Sequence, residues 1–159
     1  MNIEDVRSYC LSLRGTTECF PFDDVSLVFK VENKMYLLLP LDADEPHVSL
    51  KCSTDYTEEL RDRYQAVTPA FHFNKKYWNS IYLERDMEEA DVKRWIHHSY
   101  REVIAKLPKS LREEYKENPY WDYIKMNLIN VNFKDLKKIN NDTVGWIQVN
   151  GTNINYPFV

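Results

Sequence analysis

Apolar residues recur along the first part of the chain in two periods, and the switches between them mark out the elements. Ile3, Val6, Cys10 and Leu13 follow helical spacing, with Asn2 placed to cap the start, Asp5 in the first turn and Gly15 just past the end. That pattern predicts a helix over 3–13. Pro21 and two aspartates disfavour regular structure, so 16–24 is expected to be a loop. From Val25 the period drops to two, with Val25, Leu27, Phe29 and Val31 alternating with Ser26, Val28 and Lys30. Glu32-Asn33-Lys34 turns the chain, and the almost wholly apolar run Met35 to Leu41 is expected to return antiparallel as a more central strand. After a loop at 42–46, His47 to Cys52 alternates again, Val48, Leu50 and Cys52 inward, Ser49 and Lys51 outward. A three-strand meander follows from this pattern.

Ser53 is placed to cap a helix reaching Tyr64, with Tyr56 and Leu60 on its inner face. The stretches 66–73 and 77–84 read as a second hairpin with Asn74-Lys75-Lys76 at its tip, Pro69 lying at an edge or a bulge. Asp86 and Glu89 resemble a capping box for the longest helix, 87–107, along which Val92, Trp95, Ile96, Tyr100, Val103 and Leu107 form one stripe before Pro108 stops it. Ser110 with Glu113 opens a short helix that Pro119 should end. Beyond it asparagine becomes frequent and acidic residues thin out, which places a boundary between a domain over 1–110 and an extension over 111–159. In the extension, Thr143 to Val149 and Thr152 to Pro157 flank Asn150-Gly151, the type I′ hairpin signal. The order of elements predicts an α+β fold, one antiparallel sheet backed by helices, with a C-terminal helical segment and a β-hairpin appendage.

Composition narrows the chemistry. The chain has 159 residues, 43% apolar and 14% aromatic, enough for a ring-filled core. Its only glycines are Gly15, Gly145 and Gly151, so neither a P-loop nor a dinucleotide-binding fingerprint can be built between the first two. Cys10, Cys19 and Cys52 are odd in number and lack C-x-x-C spacing, which disfavours a disulfide framework or zinc ribbon and fits buried thiols in a reducing compartment. With no apolar run of membrane-spanning length and a charged amphipathic start, a cytoplasmic protein without membrane contact is expected. The net charge of −4 argues against coating nucleic acid by bulk electrostatics, so any such contact needs a local basic patch.

One such patch can be assembled from the predicted strands. Asn74, Lys75 and Lys76 sit on a turn flanked by His72 and by Tyr77 and Trp78, while Lys30, Lys34 and Lys51 fall on outward or turn positions of neighbouring strands. Ammonium groups for a phosphate backbone, an amide and rings are what a nucleic-acid contact requires. The bland alternative leaves the lysines solvated while His72 and Trp78 pack locally. His97 and His98 point about 100° apart on a helix, the Glu88, Glu89 and Asp91 group suits a helix N-terminus, and no catalytic, metal or cofactor site is expected.

Several segments resemble the MmcQ/YjbR family: Tyr9-Cys10, the Pro21-Phe22 loop, Leu27 to Val31 running into Lys34-Met35, Val48 to Cys52, Ser99-Tyr100, and above all Val67-Thr68-Pro69-Ala70-Phe71-His72-Phe73-Asn74-Lys75-Lys76-Tyr77-Trp78-Asn79. The resemblance covers about 1–107 and departs where a glycine-bearing turn is usual and this chain has Glu32-Asn33. It implies a CyaY-like fold in a double-wing DNA-binding arrangement, its hairpins acting as wings. The tail, from Leu136 through Val144-Gly145-Trp146-Ile147 to Tyr156-Pro157, resembles the opening strands of a class B sortase. None of the histidine, cysteine and arginine that a sortase requires follows it, and transpeptidase activity is not expected. Two functional expectations result. One is a non-enzymatic module binding DNA weakly and salt-sensitively through Lys30, Lys34, Lys51, His72, Asn74, Lys75, Lys76 and Trp78. The other is a protein- or small-ligand-binding module using an aromatic surface around Phe71, Tyr77 and Trp78.

Overall fold

Asn2 and Asp5 cap each other reciprocally: the Asn2 amide oxygen accepts from the Asp5 N–H and the Asp5 carboxylate from the Asn2 N–H, both at 2.9 Å. The first helix, α1 (Ile3–Ser12), therefore begins where the sequence puts it. In this computed structural model residues 1–116 are described, together with the strand segments 145–148 and 155–158. The chain divides into two compact units, Met1–Tyr115 and Lys116–Val159.

Six strands form one antiparallel sheet in the first unit: β1 (Thr16–Cys19), β2 (Ser26–Val31), β3 (Lys34–Pro40), β4 (His47–Lys51), β5 (Val67–Pro69) and β6 (Trp78–Tyr82), in the spatial order β1-β2-β3-β4-β6-β5. Helices α2 (Thr57–Arg63), α3 (Glu89–Ile104) and α4 (Lys109–Glu114) complete it. The unit is α+β, with the apolar run β3 near the middle and Pro69 on an edge strand, where its missing N–H breaks no ladder. The core lies between the sheet and α3, where Phe29, Leu37, Leu50, Ile81, Ile96 and Tyr100 are fully buried.

Four expectations need correction. The segment 16–24 is not all loop: Thr16–Cys19 pairs with β2, Thr16 opposite Val31 and Cys19 opposite Val28. Helix α2 starts at Thr57 rather than Ser53, whose carbonyl instead takes the Tyr56 and Thr57 N–H groups and the Thr57 hydroxyl in a turn. Asp86 does not cap α3. Its carboxylate receives the Gln65 and Ala66 N–H groups at 2.9 and 2.7 Å, bracing the entry to β5, and α3 begins three residues later at Glu89. The second hairpin is also shorter than expected, because β5 has three residues and 70–77 forms an irregular crest with His72 at φ 67.

The β2–β3 turn achieves without glycine what a type I′ turn demands. Glu32 and Asn33 both take positive φ, 48 and 61, between the paired residues Val31 and Lys34. Glutamate is strained there, and a tertiary bond holds it: the Tyr115 hydroxyl donates to the Glu32 carboxylate at 2.5 Å. This bond pushes the phenol up to about 12.

A polar wedge sets the register at the middle of the sheet. Between Phe29 and Lys30 the β2–β3 register shifts, so that Tyr36 bulges from the ladder. Toward β4, just beyond the Leu37–Leu50 pair, the fully buried Ser99 of α3 inserts its hydroxyl, accepting the Lys51 N–H at 2.8 Å and donating to the Tyr36 carbonyl. Tyr36 in turn packs edge-on against Tyr100, ring centres 5.5 Å apart. Thus α3 is joined to β3 and β4 by a hydrogen-bond bridge as well as by apolar packing.

Another polar contact places His98 over the start of the β4–α2 connection. Its Nε2 accepts the Ser53 N–H at 3.1 Å, so the bonded ring is neutral, and Tyr56 and Trp95 pack around it. Burial, and to a smaller degree His97, lowers the imidazole below its ordinary 6.5, against the opposing pull of Glu102. A histidine depressed in the fold contributes its full stability above about pH 6.5. As pH falls from there to the folded value, the unfolded chain takes up a proton that the native one refuses, and stability is lost. Melting curves at about pH 7.5 and about pH 5.5 should therefore show a drop in Tm that His98→Gln reduces, since the glutamine amide oxygen can still accept from Ser53.

In the second unit β7 (Gly145–Gln148) pairs antiparallel with β8 (Asn155–Phe158). The register sets Gln148 opposite Asn155, whereas a two-residue turn on Asn150-Gly151 would set it opposite Asn153. The predicted turn itself and the helix end at Pro119 lie outside the described residues.

Candidate nucleic-acid interface

Side-chain alternation along β4 and β6 produces three cross-strand pairs on the sheet face away from the main core: His47 with Tyr82, Ser49 with Ser80, and Lys51 with Trp78. The last pair stands at one end of the sheet. There the Lys51 ammonium lies 5.9 Å from the centre of the Trp78 ring. The β2–β3 turn delivers Lys34 to the same end, and the residues just past α3 deliver Lys106. A small cleft of about 170 Å³ is lined there by Lys51, Cys52, Tyr77, Trp78, Glu102 and Lys106.

Tyr77 is bracketed by cations. The Lys76 and Lys106 ammonium groups lie 5.5 and 5.6 Å from its ring centre, and the ring is partly open to solvent. Lys51 is held below its ordinary value by burial first and then by the charges of Lys106 and Lys34, with Glu102 pulling the other way. Three ammonium groups thus share one electrostatic neighbourhood with one carboxylate, an arrangement that an external anion would relieve.

The crest carrying Lys76 and Tyr77 is built by α2. Asn74 starts its turn, the carbonyl accepting from the Tyr77 and Trp78 N–H groups at 3.0 Å and the side-chain oxygen from the Lys76 N–H at 3.0 Å. Arg61 then donates to Asn79 at 2.7 Å, to the Trp78 carbonyl at 3.3 Å and to the Lys75 carbonyl, while the Thr57 hydroxyl reaches the Lys76 carbonyl at 3.1 Å. The buried Asn79 amide closes the network on the Thr57 carbonyl at 3.2 Å.

The predicted residues therefore divide. Lys34, Lys51, Lys76 and Trp78 come together. Lys30 sits within β2, opposite Thr17 and Met35, outside that group, and Lys75 enters the crest through its carbonyl. Asn74 organises backbone, and His72 packs on Phe71 with ring centres 4.2 Å apart, facing a different cavity. Trp78 is only 7% exposed and lies flat against Phe73 at 4.4 Å, so it supports the aromatic surface from beneath and Tyr77 presents it. Lys106 is a member that sequence reasoning misses. Only the packing of α3 on β4 reveals it, because the sequence separates it widely from Lys51.

Other chemistry finds little support in the same geometry. Burial pushes the Cys10 thiol up to about 12 and the Cys52 thiol to about 11, so neither is a thiolate near neutrality. Glu89 and Asp91 are paired to Lys93 and Arg94 along α3. Among the described residues no three His, Cys, Asp or Glu side chains gather to hold a metal, and no helix is long and apolar enough to cross a membrane.

The family model described as YjbR matches residues 11–102, a span that contains the whole six-strand sheet and nearly all of α3. The chain belongs to the YjbR family. The Escherichia coli K12 protein YjbR, itself described as uncharacterised, is 27% identical over 113 residues, covering 71% of this chain and 96% of its own length. The uncharacterised YbdF of E. coli O157:H7 is 28% identical over 106 residues, covering 67% of this chain and 87% of that protein. Among solved structures, the Deinococcus radiodurans protein DR2400, of the DUF419 domain type, superposes with TM-score 0.68 at 35% identity over 72% of this chain and 87% of its own. A Pseudomonas syringae protein shares the fold at TM-score 0.56 and 22% identity, over 64% of this chain and 97% of its own. YjbR membership accounts for the fold of the first unit and leaves the chemistry of the basic end to its own residues.

Proposed function

We propose that this YjbR-family chain is a non-enzymatic binding module whose basic end takes the phosphate backbone of DNA. The observation that carries the reading is the convergence of Lys51, Lys76 and Lys106 around Tyr77 and Trp78, with the charge of Lys34 acting on Lys51, from four separate elements. Ammonium groups grip phosphate oxygens without reading sequence, and the Tyr77 ring offers a face on which a sugar or an unpaired base can rest. The acidic loop before β4 does not oppose this. Glu45 there is paired to Arg85 at 2.6 Å, and the loop enters β4 at His47, four residues and roughly 13 Å of strand from Lys51.

Four contacts limit the affinity. Binding in the micromolar range or weaker is expected at physiological salt, with log K falling by about 3.6 per unit of log salt, at about 0.9 per neutralised phosphate. Anisotropy of a labelled short duplex titrated with the full chain tests this directly. Saturable, salt-sensitive binding supports the reading, and no binding at about 50 mM salt removes it.

A further inference from the structure

The sheet face that carries the His47–Tyr82 and Ser49–Ser80 pairs is roofed at its middle by two loops, 20–25 and 70–73, which leave a cavity of about 490 Å³ between them. Phe22 and Phe71, 66% and 76% exposed, stand at its mouth, and Phe73 and Pro69 contribute to its walls. That volume falls in the range of small-molecule sites.

Its floor is polar in a way that packing does not require. Ser49 and Ser80 line it at 5% exposure each, and their hydroxyls meet at 2.9 Å. Two hydroxyls joined by one hydrogen bond use one of their two hydrogens, so the pair retains a donor with no acceptor among the described residues, nine-tenths buried and bordering the cavity. Beside it the His47 Nδ1 lies 2.9 Å from the Glu45 carbonyl. A carbonyl only accepts, so Nδ1 carries the hydrogen and Nε2 of the neutral ring is left as an acceptor. The rim bears the Asp23 carboxylate, held ionised below its ordinary value by the Val25 N–H, the Ser26 hydroxyl and the Ser26 N–H.

We infer that this cavity is a binding site for a small, planar, uncharged molecule with an acceptor for the Ser49–Ser80 pair and a donor for His47, that is, a ring bearing a carboxamide-like edge. Aromatic walls select the plane, the floor selects the polar edge, and Asp23 disfavours an anion. The site is separate from the basic end and does not depend on phosphate binding there.

Benzamide, benzoate and benzamidine are matched probes that differ in charge. Titrated into the full chain and followed by amide chemical shifts, benzamide should give saturable shifts at Ser49, Ser80 and His47, with affinity at least tenfold above that of benzoate. Ser80→Ala should weaken benzamide about tenfold, whereas Ser12→Ala, on α1, should leave its affinity unchanged in the same spectra. Binding of benzoate, or of benzamidine, whose amidinium offers the serine pair no acceptor, as tight as benzamide would overturn the chemistry assigned to the floor and rim. Absence of saturable shifts from all three probes in a chain whose spectrum is otherwise native would overturn the site itself.

Discussion

Replacing Ser99 by alanine is expected to destabilise the first unit by about 3 kcal/mol, because it strands a donor and an acceptor that have no nearby substitute. The Lys51 N–H and the Tyr36 carbonyl lie just beyond the Leu50–Leu37 pair of β4 and β3, and the Ser99 hydroxyl bonds both. Each unpaired buried group costs about 1–3 kcal/mol, whereas the lost volume of a single oxygen costs little. For a unit of this size the change corresponds to a fall in Tm of roughly 10–20 °C. Ser49→Ala is the matched comparison. It removes one hydroxyl from a pair that borders an open cavity, where water can replace it, and should cost under about 1 kcal/mol. If Ser99→Ala proved as mild as Ser49→Ala, the two strands would have to pair directly there, and the wedge would not be what fixes the register.

Reversing charge at the basic end should have the largest effect on binding. Lys51→Glu with Lys106→Glu replaces two attractive charges by repulsive ones in a neighbourhood that already holds Glu102, and should weaken a short duplex by roughly a hundredfold or more at low salt. Lys51 is partly buried, so circular dichroism and the melting curve of the double variant must accompany the titration. Lys51→Ala with Lys106→Ala gives the same direction with less disturbance. An affinity unchanged by either pair would place any DNA contact elsewhere on the chain.

Most of the first unit is legible in the sequence for simple reasons. Strands β2 and β4 alternate apolar with mostly polar positions and helix α3 buries one face, so their periods are visible, and Asn2 with Asp5 announces the start of α1. What stays hidden lacks a period. Strand β1 is four residues on an edge with no fully buried side chain, and its pairing comes from β2 rather than from any pattern of its own. The uniformly apolar run of β3 does not reveal the bulge at Tyr36, because a register shift shows only where polar and apolar positions alternate.

The same physics explains the candidate site. Alternation along β4 marks Lys51 as outward, but parity says nothing about what covers an outward residue. Ser49 is outward by parity and still 5% exposed, because two loops roof it. Lys106 follows the last turn of α3 and reaches Tyr77 only through the packing of that helix on the sheet. Adjacency groups Lys75 with Lys76, and of this pair it is the Lys76 ammonium that lies against the Tyr77 ring.

The most direct test compares salt slopes for a short duplex among three chains: the native one, Lys51→Ala with Lys106→Ala, and Lys30→Ala with Lys75→Ala. A native slope near −3.6 that flattens by about 2 in the first pair and hardly at all in the second would locate the phosphate contacts at Tyr77. Equal flattening by both pairs would contradict that location, and a native chain without salt-dependent binding would contradict the function.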